Sequence, residues 1–384
     1  MKRIYLDSAS TTPLDKRVFR RVKRCLRLVT GNPSSVHAEG VYAHTALEQA
    51  RTTCARIVQC KPNEVIFTSG GTESNNLALQ GVIRTHLKQG KAIDALHVIT
   101  TSIEAPSVQE VLYAYKEDGL VVSEIAPQED GSIRVQDVVD AIRPETILVS
   151  VMHANNEIGT ILPVGHIARA VHMVRKDICV HSDASQTPLF TSVLIESLGV
   201  DLLTLDGQKI YGPKGVGALI VRNGVTLEPL LYGGGQERGL RSGTENVALI
   251  DGFAAALEYA DKERARNVLY VQDLRTYLMH TISALDSRII INGTADKQLP
   301  NILNISLPWM DTEFLVIELD HKGFAVSSKS ACKSTEAQSA VVYALYKDAV
   351  SAQTTLRISF GTHTKKRHLR VFIKTLQHFV ARGR

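Results

Sequence analysis

The stretch EVIFTSGGTESNNLALQGVI at positions 64–83 decides the fold class. Its first five residues are mostly apolar or β-branched, as in a buried strand, and an amphipathic helix pattern begins at residue 74. Between them stand Gly70, Gly71 and Thr72. A strand, a glycine turn and a helix in this order indicate a sheet with helices on its faces. The free N–H groups at such a helix start, with the Thr72 hydroxyl, can cradle a phosphate, although an ordinary helix cap gives the same pattern.

The same alternation of strands and helices continues through the first 250 residues. The other predicted strands are 97–101, 121–125, 147–151, 178–183, 201–205 and 216–221, and the predicted helices are 37–58, 74–88, 106–117 and 164–176. This alternation predicts an α/β fold with a mainly parallel central sheet flanked by helices.

The pattern changes after about residue 250. We predict a helix over 246–261 that continues in pieces to 284, strands near 289–292, 301–307, 324–328 and 355–360, and helices at 312–321 and 364–381. These elements indicate a smaller α+β domain joined by the N-terminal strand region. The expected division is therefore a large domain of residues 15–250 and a small domain of residues 1–14 and 251–384.

Composition limits the classes of protein that need to be considered. The chain has 384 residues, of which 44% are hydrophobic and 22% charged, as in ordinary globular proteins. The net charge of +5 is mild, and the basic clusters at 20–27 and 365–370 are interpreted as solvated helix faces, with no direct nucleic-acid binding. No apolar run approaches the roughly 18 to 20 residues that span a bilayer, and residues 1–30 lack the apolar core of a signal peptide. We therefore expect a cytoplasmic protein without membrane contact.

The cysteine pattern predicts neither a disulfide framework nor a metal site, because the five cysteines are scattered and form no CxxC pair. Four are interpreted as small buried hydrophobic residues: Cys25, Cys54, Cys60 and Cys179. Cys332 differs, because it lies in the small, polar run SSKSACKSTE (327–336) between Lys329 and Lys333. Nearby cations favour the thiolate and therefore a reactive cysteine.

Polar residues follow several of the predicted strands, where ligands bind in open α/β sheets. Asp183 ends an apolar strand in HSDASQ (181–186), so it is either a helix cap or the partner of a protonated ring nitrogen. Lys209 lies in a glycine-rich loop of LDGQKIYGPKGVGALIV (205–221). A lysine there is commonly exposed to solvent. It is also a candidate for Schiff-base chemistry, which needs an amine with a lowered pKa near a cation-stabilising site.

Two further segments allow two interpretations each. GGGQERGLRSGTEN (233–246) contains arginines and free backbone donors, with Thr244 near a helix start, and is either a mobile loop or an anion site. Arg357 lies within the strand pattern of TTLRISFG (354–361). It can grip a substrate carboxylate through two parallel hydrogen bonds, or it can form a structural salt bridge.

Taken together and in order, these motifs resemble one known family over nearly the whole chain, the assembly-type cysteine desulfurases. The matching segments are YLDSASTTP (5–13), GNPSSVH (31–37), FTSGGTESNNLAL (67–79), MHANNEIG (152–159), HSDASQ (181–186), KIYGPKGVGAL (209–219), GGGQERGLRSGT (233–244), SSKSAC (327–332) and LRISFG (356–361). The resemblance implies a pyridoxal-phosphate enzyme of the class V aminotransferase group, with fold type I.

The resemblance also implies roles for individual residues. Lys209 would hold the cofactor covalently, Asp183 would keep its ring nitrogen protonated, and Gln186 would bind the ring hydroxyl. The phosphate would be bound by residues around the glycine turn and the lysine loop: Gly71, Thr72, Gln208 and, from the partner subunit of a homodimer, a copy of Thr244. Asn155, also close to the cofactor, and Arg357 would hold the substrate carboxylate.

The implied reaction removes sulfur from L-cysteine, leaving L-alanine and a persulfide on Cys332. The persulfide would then pass to a sulfur-acceptor protein, either a scaffold for iron–sulfur cluster assembly or a tRNA-thiolation enzyme.

Four positions depart from the family pattern. Ala105 stands where the family has a histidine stacked on the cofactor ring, and Asp206 and Gln208 stand where it has a serine and a histidine that contact the phosphate. Lys329 replaces a glycine ahead of Cys332. A carboxylate at position 206 is expected to weaken phosphate binding unless it turns away. Besides an active desulfurase, the sequence therefore allows a catalytically weakened paralogue that serves as a binding or regulatory subunit, or a lyase for another amino acid such as selenocysteine.

Overall fold

The computed structural model describes residues 3–294, 296–328 and 338–382. Its strands are β1 (Ile4–Tyr5), β2 (Val65–Thr68), β3 (His97–Thr101), β4 (Val121–Ile125), β5 (Thr146–Ser150), β6 (Cys179–Asp183), β7 (Leu202–Asp206), β8 (Gly217–Val221), β9 (Ile290–Asn292), β10 (Ile302–Ser306), β11 (Phe324–Ala325) and β12 (Thr355–Ser359). Its α-helices are α1 (Lys16–Leu28), α2 (Ala38–Val58), α3 (Gly71–Lys88), α4 (Pro106–Glu117), α5 (Val135–Asp140), α6 (Val164–Val174), α7 (Ile195–Leu198), α8 (Val247–Ser283), α9 (Thr312–His321), α10 (Ala340–Tyr346), α11 (Ala349–Gln353) and α12 (Lys366–Arg382).

Within the described residues, seven strands form the central sheet in the order β2-β8-β7-β6-β5-β3-β4. The five strands from β7 to β4 are parallel, and β8 is antiparallel to both of its neighbours, β7 and β2. The predicted mainly parallel sheet is confirmed. The exception at β8 arises because the short connection 207–216 turns the chain straight back, whereas a parallel pair needs a longer crossover.

Helices cover the sheet, so its middle strands are apolar on both sides. Every residue of β3, β5, β7 and β8 is buried. Burial on both faces explains why these strands read as continuous apolar runs instead of alternating patterns. Helix α3 packs against β2, β7 and β8, which fixes its first turn close to the carboxyl end of β7.

A second, antiparallel sheet of order β12-β10-β9 and a parallel pair, β1 with β11, are formed by the late part of the chain and the N-terminal segment. Helix α8 runs unbroken for 37 residues, so the predicted interruption after residue 261 is wrong. The division into domains at residues 15–250 and 251–384 stays a prediction.

The predicted elements agree with the structure within a few residues, with informative differences. Strand β11 ends at Ala325, three residues before the predicted end. Helix α3 begins at Gly71, three residues earlier than predicted, which brings the glycine turn into its first turn. No helix in the described part of the chain has both the length and the apolar character needed to cross a bilayer.

Candidate active site

A cleft of about 230 Å³ lies beside the carboxyl ends of β6 and β7. The predicted site residues that line it are Gly71, Thr72, Asp183, Gln186, Gln208, Lys209 and Arg357. They come from four separate parts of the sequence: the central sheet brings the first three together, and Arg357 comes from β12 of the three-stranded sheet. This is the place where open α/β sheets bind ligands.

Lys209 lies in the turn that follows β7, and its ammonium group faces the N-terminal segment. Its Nζ donates hydrogen bonds to the carbonyl oxygens of Ala9, at 2.8 Å, and Ser10, at 2.6 Å. Both contacts are with backbone acceptors, so the charge of Lys209 is satisfied without a carboxylate partner in those two bonds. The lysine is therefore held in the cleft and does not point into solvent, the alternative that the sequence left open.

Asp183 ends β6 and is oriented by two donors. Its Oδ1 accepts a hydrogen bond from the backbone N–H of Ser185 at 2.9 Å, and its Oδ2 accepts one from Asn75 Nδ2 at 2.7 Å. Asn75 also donates to Ser107 Oγ at 2.8 Å, which extends the network to the start of α4. The carboxylate is thus fixed in position at the cleft wall, as a counter-ion for a cationic nitrogen must be.

The amino end of α3 opens into the same cleft. Gly70 has φ +151° and ψ −176°, a conformation that essentially only glycine adopts, and it caps the helix without any side chain. A Cβ atom on Gly71 would lie 3.0 Å from Ser185 Oγ, a tight contact, so glycine keeps this part of the cleft open. Ser185 Oγ is buried and has no hydrogen-bond partner among the described residues. These donors fit an anion such as a phosphate.

Asp206 lies at this same anion-binding end, contrary to the possibility that it turns away. Its Oδ2 is 3.2 Å from the position of a Cβ atom on Gly71. It accepts hydrogen bonds from Gln208, from the backbone N–H to Oδ1 and from Nε2 to Oδ2, both at 3.1 Å. Burial raises the pKa of this carboxyl above its usual range, although the Gln208 hydrogen bond and the Lys209 charge oppose the shift.

Gln186 and Arg357 tie the cleft to the N-terminal segment. Gln186 Nε2 donates to the carbonyl oxygen of Ala9 at 2.9 Å. Arg357 Nη2 forms a salt bridge with Asp7 Oδ1 at 2.8 Å and a hydrogen bond with Ser10 Oγ at 2.6 Å. The structural salt bridge is therefore present, and Arg357 nevertheless lines the cleft, with an Nε that has no partner among the described residues.

The structure places Asn155 next to the cleft and its neighbour Asn156 on the cleft wall. The Asn155 side chain is fully buried and is bonded to its own loop and to the segment before α4. Its Nδ2 donates to the carbonyl oxygen of Ile103, and its Oδ1 accepts from the N–H groups of Glu157 and Ile158. Asn155 thus orders the loop that presents Asn156, and its direct contact with a ligand stays a prediction.

Ala105 lines the cleft just before α4, so the position of the family's stacking histidine is occupied by a methyl group. Glu104 beside it is fully buried, and burial raises the pKa of Glu104 to about 8. Its Oε1 accepts hydrogen bonds from Thr101 Oγ1 at 2.7 Å and the Met152 N–H at 2.9 Å, while Oε2 has no partner within the described chain.

Of the two remaining predicted site residues, Thr244 does not line this cleft and Cys332 is not described. Thr244 is exposed and precedes α8, which begins at Val247 after the cap Asn246. Cys332, with Lys329 and Lys333, falls in 329–337, outside the described residues.

The structure also adds residues that the sequence did not single out. Ser10, Ser107, Asn156 and Ser185 line the cleft. Ser185 lies within HSDASQ and Ser10 within YLDSASTTP, so both belonged to recognised motifs, but their residue types alone gave no signal. Small hydroxyl residues become informative only when their partners are known.

The residues present fit a flat cofactor with a phosphate at one end. The donors at the start of α3 and the unpartnered Ser185 Oγ suit the phosphate, Asp183 suits a protonated ring nitrogen, and Lys209 suits a carbonyl carbon. Among the described residues that line the cleft, Asp206 is the one whose charge opposes this fit.

Comparison with known proteins agrees with this chemistry. The family model described as aminotransferase class-V matches residues 4–372. Cysteine desulfurase IscS of Dictyoglomus turgidum is 39% identical over 386 residues, which cover 100% of this chain and 96% of the relative. A solved NifS-like protein superposes with a TM-score of 0.92 at 34% identity over 99% of both chains, and a structure described as SspA in complex with cysteine superposes with a TM-score of 0.79 at 31% identity, covering 94% of this chain and 99% of the other. The chain therefore belongs to the class V aminotransferase family, within its cysteine desulfurase branch.

Proposed function

We propose that this chain uses pyridoxal phosphate in the cleft beside β6 and β7 to remove sulfur from L-cysteine. The observation that carries this proposal is the convergence of Lys209, Asp183 and Arg357, remote in sequence, on one cleft of about 230 Å³. The relatives' names support an active desulfurase and give no support to the alternative of a weakened paralogue.

When bound, the cofactor supplies an electron sink for the bond changes at the substrate α-carbon. Asp183 keeps the ring nitrogen protonated, since its two hydrogen bonds fix the carboxylate at the cleft wall. Lys209 would hold the cofactor covalently, and its amine would move the α-proton of the substrate. The contacts with Ala9 and Ser10 keep that amine within the cleft.

Arg357 orients the substrate through its carboxylate. The guanidinium is buried, but Nε has no partner among the described residues, so it retains a donor for a ligand. Asn155 supports the same end indirectly, because its side chain orders the loop on which Asn156 lies. Gln186, Gln208, Gly71 and Thr72 complete the cofactor site.

Cys332 is the proposed sulfur acceptor. Its thiolate attacks the substrate sulfur, the carbon–sulfur bond breaks, and the carbon takes up a proton. The products are L-alanine and a persulfide on Cys332, and the balance needs no external oxidant.

A homodimer and a sulfur-acceptor protein, either an iron–sulfur scaffold or a thiolation enzyme, belong to the same proposal. Exposed apolar side chains support the dimer: Val36 is 97% and Tyr232 69% exposed in the single chain. A cytoplasmic location is supported by the described cysteines, which are unpaired as in a reducing compartment.

The proposal is tested by incubating the purified protein with pyridoxal phosphate, L-cysteine and a thiol. We expect a yellow protein, with sulfide and L-alanine formed in equal amounts. Lys209→Ala removes both the colour and the products, whereas the control Lys214→Ala, at an exposed lysine of the same loop, leaves them unchanged.

The role of Cys332 is tested in the same assay. Cys332→Ala abolishes sulfide release but keeps the colour, and Cys60→Ala serves as the cysteine control. A colourless wild-type protein that cannot be reconstituted would refute the enzyme assignment, and sulfide release that persists in Cys332→Ala would refute the persulfide.

A further inference from the structure

The carboxyl group of Asp206 occupies the anion-binding end of the cleft. Asp206 is the last residue of β7 and is only 6% exposed. Its Oδ2 and Cβ lie 3.2 and 3.3 Å from where a Cβ atom on Gly71 would be, directly below the first turn of α3. The side chain accepts hydrogen bonds from Gln208, and the backbone of Gly71 also stabilises its charged form.

An independent observation indicates that an anion belongs at the same place. Ser185 is 7% exposed, and its Oγ has no hydrogen-bond partner among the described residues. That oxygen is 3.0 Å from the same Cβ position on Gly71, next to the Asp206 carboxyl. A buried hydroxyl without a partner is rare in folded proteins, so a ligand that supplies the partner is expected.

The charged groups around Asp206 come from each neighbouring element. Lys209 lies in the same loop as Asp206, Asp183 ends β6, and Arg357 comes from β12. From α3, Glu73 is already paired with Arg241 and with the backbone of Ser69. Opposite Asp206 on β8 is Gly217, which cannot titrate. Lys209 is therefore the cation that favours the charged carboxylate, and burial opposes it.

A dianionic phosphate and a carboxylate cannot share this end of the cleft without strong repulsion. A protonated carboxyl can share it, because it then donates a hydrogen bond to the phosphate. Protonation thus changes Asp206 from a competitor into a ligand.

We propose that Asp206 makes cofactor binding proton-dependent: its carboxylate occupies the phosphate end of the empty cleft, and the phosphate binds together with one proton taken up by Asp206. This inference rests on the proposed function, because it assumes that the phosphate ligand is pyridoxal phosphate. Its consequence is that the cofactor is held more tightly as pH falls and is released as pH rises.

The direction of the pH dependence follows from the linkage between cofactor binding and proton binding. Binding that takes up one proton loses up to about tenfold in affinity for each pH unit above the pKa of Asp206 in the empty protein. Asp206→Asn keeps the shape and an acceptor for Gln208 but removes the charge. We expect this variant to bind pyridoxal phosphate at least tenfold more tightly than the wild type at pH 8. Its affinity should not fall in this way as pH rises.

The experiment titrates the cofactor-free protein with pyridoxal phosphate between about pH 6 and about pH 8.5 and measures the dissociation constant by absorbance and calorimetry. Pyridoxal, which lacks the phosphate, is the matched ligand, and it reports any pH effect of Lys209 by itself. Asp201→Asn is the matched variant, since Asp201 immediately precedes the same strand at its opposite end. Asp206→Ser is a second variant for the case that Asp206→Asn does not fold.

Inorganic phosphate gives a second measurement that is independent of Lys209. Stabilisation of the cofactor-free protein against heat by phosphate should be larger in Asp206→Asn than in the wild type, with the difference growing as pH rises. The second ionisation of phosphate affects both proteins equally, so the difference belongs to Asp206.

The possible results distinguish a failure of the Asp206 proposal from a failure of the proposed function. A steep pH dependence for pyridoxal phosphate in the wild type, absent for pyridoxal and in Asp206→Asn, supports the proposal. Equal affinities and equal pH slopes in the wild type and Asp206→Asn overturn it and leave the desulfurase function standing. Failure of every variant to bind pyridoxal phosphate or pyridoxal at any pH overturns the proposed function as well.

Discussion

Two kinds of ionisable group lie in and beside the cleft. Arg357 and Asp183 are matched by polar partners: Arg357 pairs with Asp7 at 2.8 Å, and Asp183 accepts hydrogen bonds from Ser185 and Asn75. Asp206 and Glu104 are buried carboxyls bonded to neutral donors, and burial raises the pKa of both.

This difference separates charges that polar partners hold in place from carboxyls whose charged form is disfavoured by burial. A charge that is paired or well hydrogen-bonded stays charged and holds a ligand or the fold in place. Burial among neutral groups raises the pKa of a carboxyl, so whatever depends on its charge also depends on pH. The predictions below change members of these two groups and, last, Ser185 beside Asp206.

The largest effect is expected for Arg357→Ala. The guanidinium is fully buried, and its removal leaves Asp7 without its cation. Breaking a buried ion pair costs about 3 to 5 kcal/mol, and the free energy of unfolding in urea should fall by this amount. The control Arg367→Ala, at an exposed arginine of α12, should change it by less than about 0.5 kcal/mol. A loss below about 1 kcal/mol for Arg357→Ala would show that the pair does not hold the N-terminal segment.

Glu104→Gln tests the effect of a buried carboxyl with a raised pKa on the stability of the protein. The pKa of Glu104 is about 8 in the folded protein against an ordinary 4.5, so the folded state binds the proton more tightly. Its contribution to stability is complete below about pH 4.5 and is lost as pH rises to about 8. Replacing it with neutral glutamine should remove a decline of about 2 kcal/mol between pH 6.5 and pH 8.

That pH window avoids interference from the buried histidines. Burial lowers the pKa of His153 and of His181 to about 4, so their contributions are lost as pH falls from about 6.5 to about 4. The measurement is urea unfolding at several pH values, with Glu117→Gln, at an exposed residue of α4, as control. Identical pH profiles for wild type and Glu104→Gln would contradict the assigned pKa of Glu104.

Asp183→Asn compares the two carboxyls directly through cofactor affinity. Loss of the fixed negative charge should weaken binding of pyridoxal phosphate by at least about tenfold, the opposite direction to Asp206→Asn. Because the two carboxyls act at opposite ends of the ligand, the double variant should bind within a few-fold of the wild type at pH 8. Equilibrium titration measures the dissociation constant of the wild type, the two single variants and the double variant. A change of affinity in the same direction in both single variants would contradict the contrast between the two carboxyls.

The smallest effect is expected for Ser185→Ala. Removing a buried hydroxyl without a partner should raise the stability of the cofactor-free protein by up to about 1 kcal/mol, while weakening phosphate binding a few-fold. Ser150→Ala is the matched control, because its buried Oγ is bonded to His181 Nδ1 at 2.8 Å and its loss should lower stability. Thermal unfolding with and without inorganic phosphate distinguishes the two serines.

Much of the fold could be predicted because local patterns encode it. Strand β3 and helices α4 and α9 have the bounds that the sequence indicated, and most other elements differ by one or two residues at each end. The antiparallel direction of β8 could not be predicted with certainty, since an apolar run does not reveal the direction of its partner. Nor did the periodicity reveal that α8 is continuous over 37 residues.

The site was predictable where a residue type and its neighbours carried the chemistry, as for Lys209 and Asp183. It was not predictable where the contact joins distant segments. Arg357 and Asp7 are separated by 350 positions, and only packing shows that they pair. Asn155 and Asn156 are indistinguishable in sequence, and the direction of one peptide segment decides which of them lines the cleft.

The sequence by itself determined the order of strands and helices, the family, and the residue types available for cofactor chemistry, because periodicity and motif spacing are local properties of a chain. The tertiary structure alone decided how those residues meet: that Asp206 lies against the start of α3, that Ser185 lacks a partner, and that Glu104 is closed off from water. Burial and distance govern charge, and both arise only when segments far apart in sequence pack together.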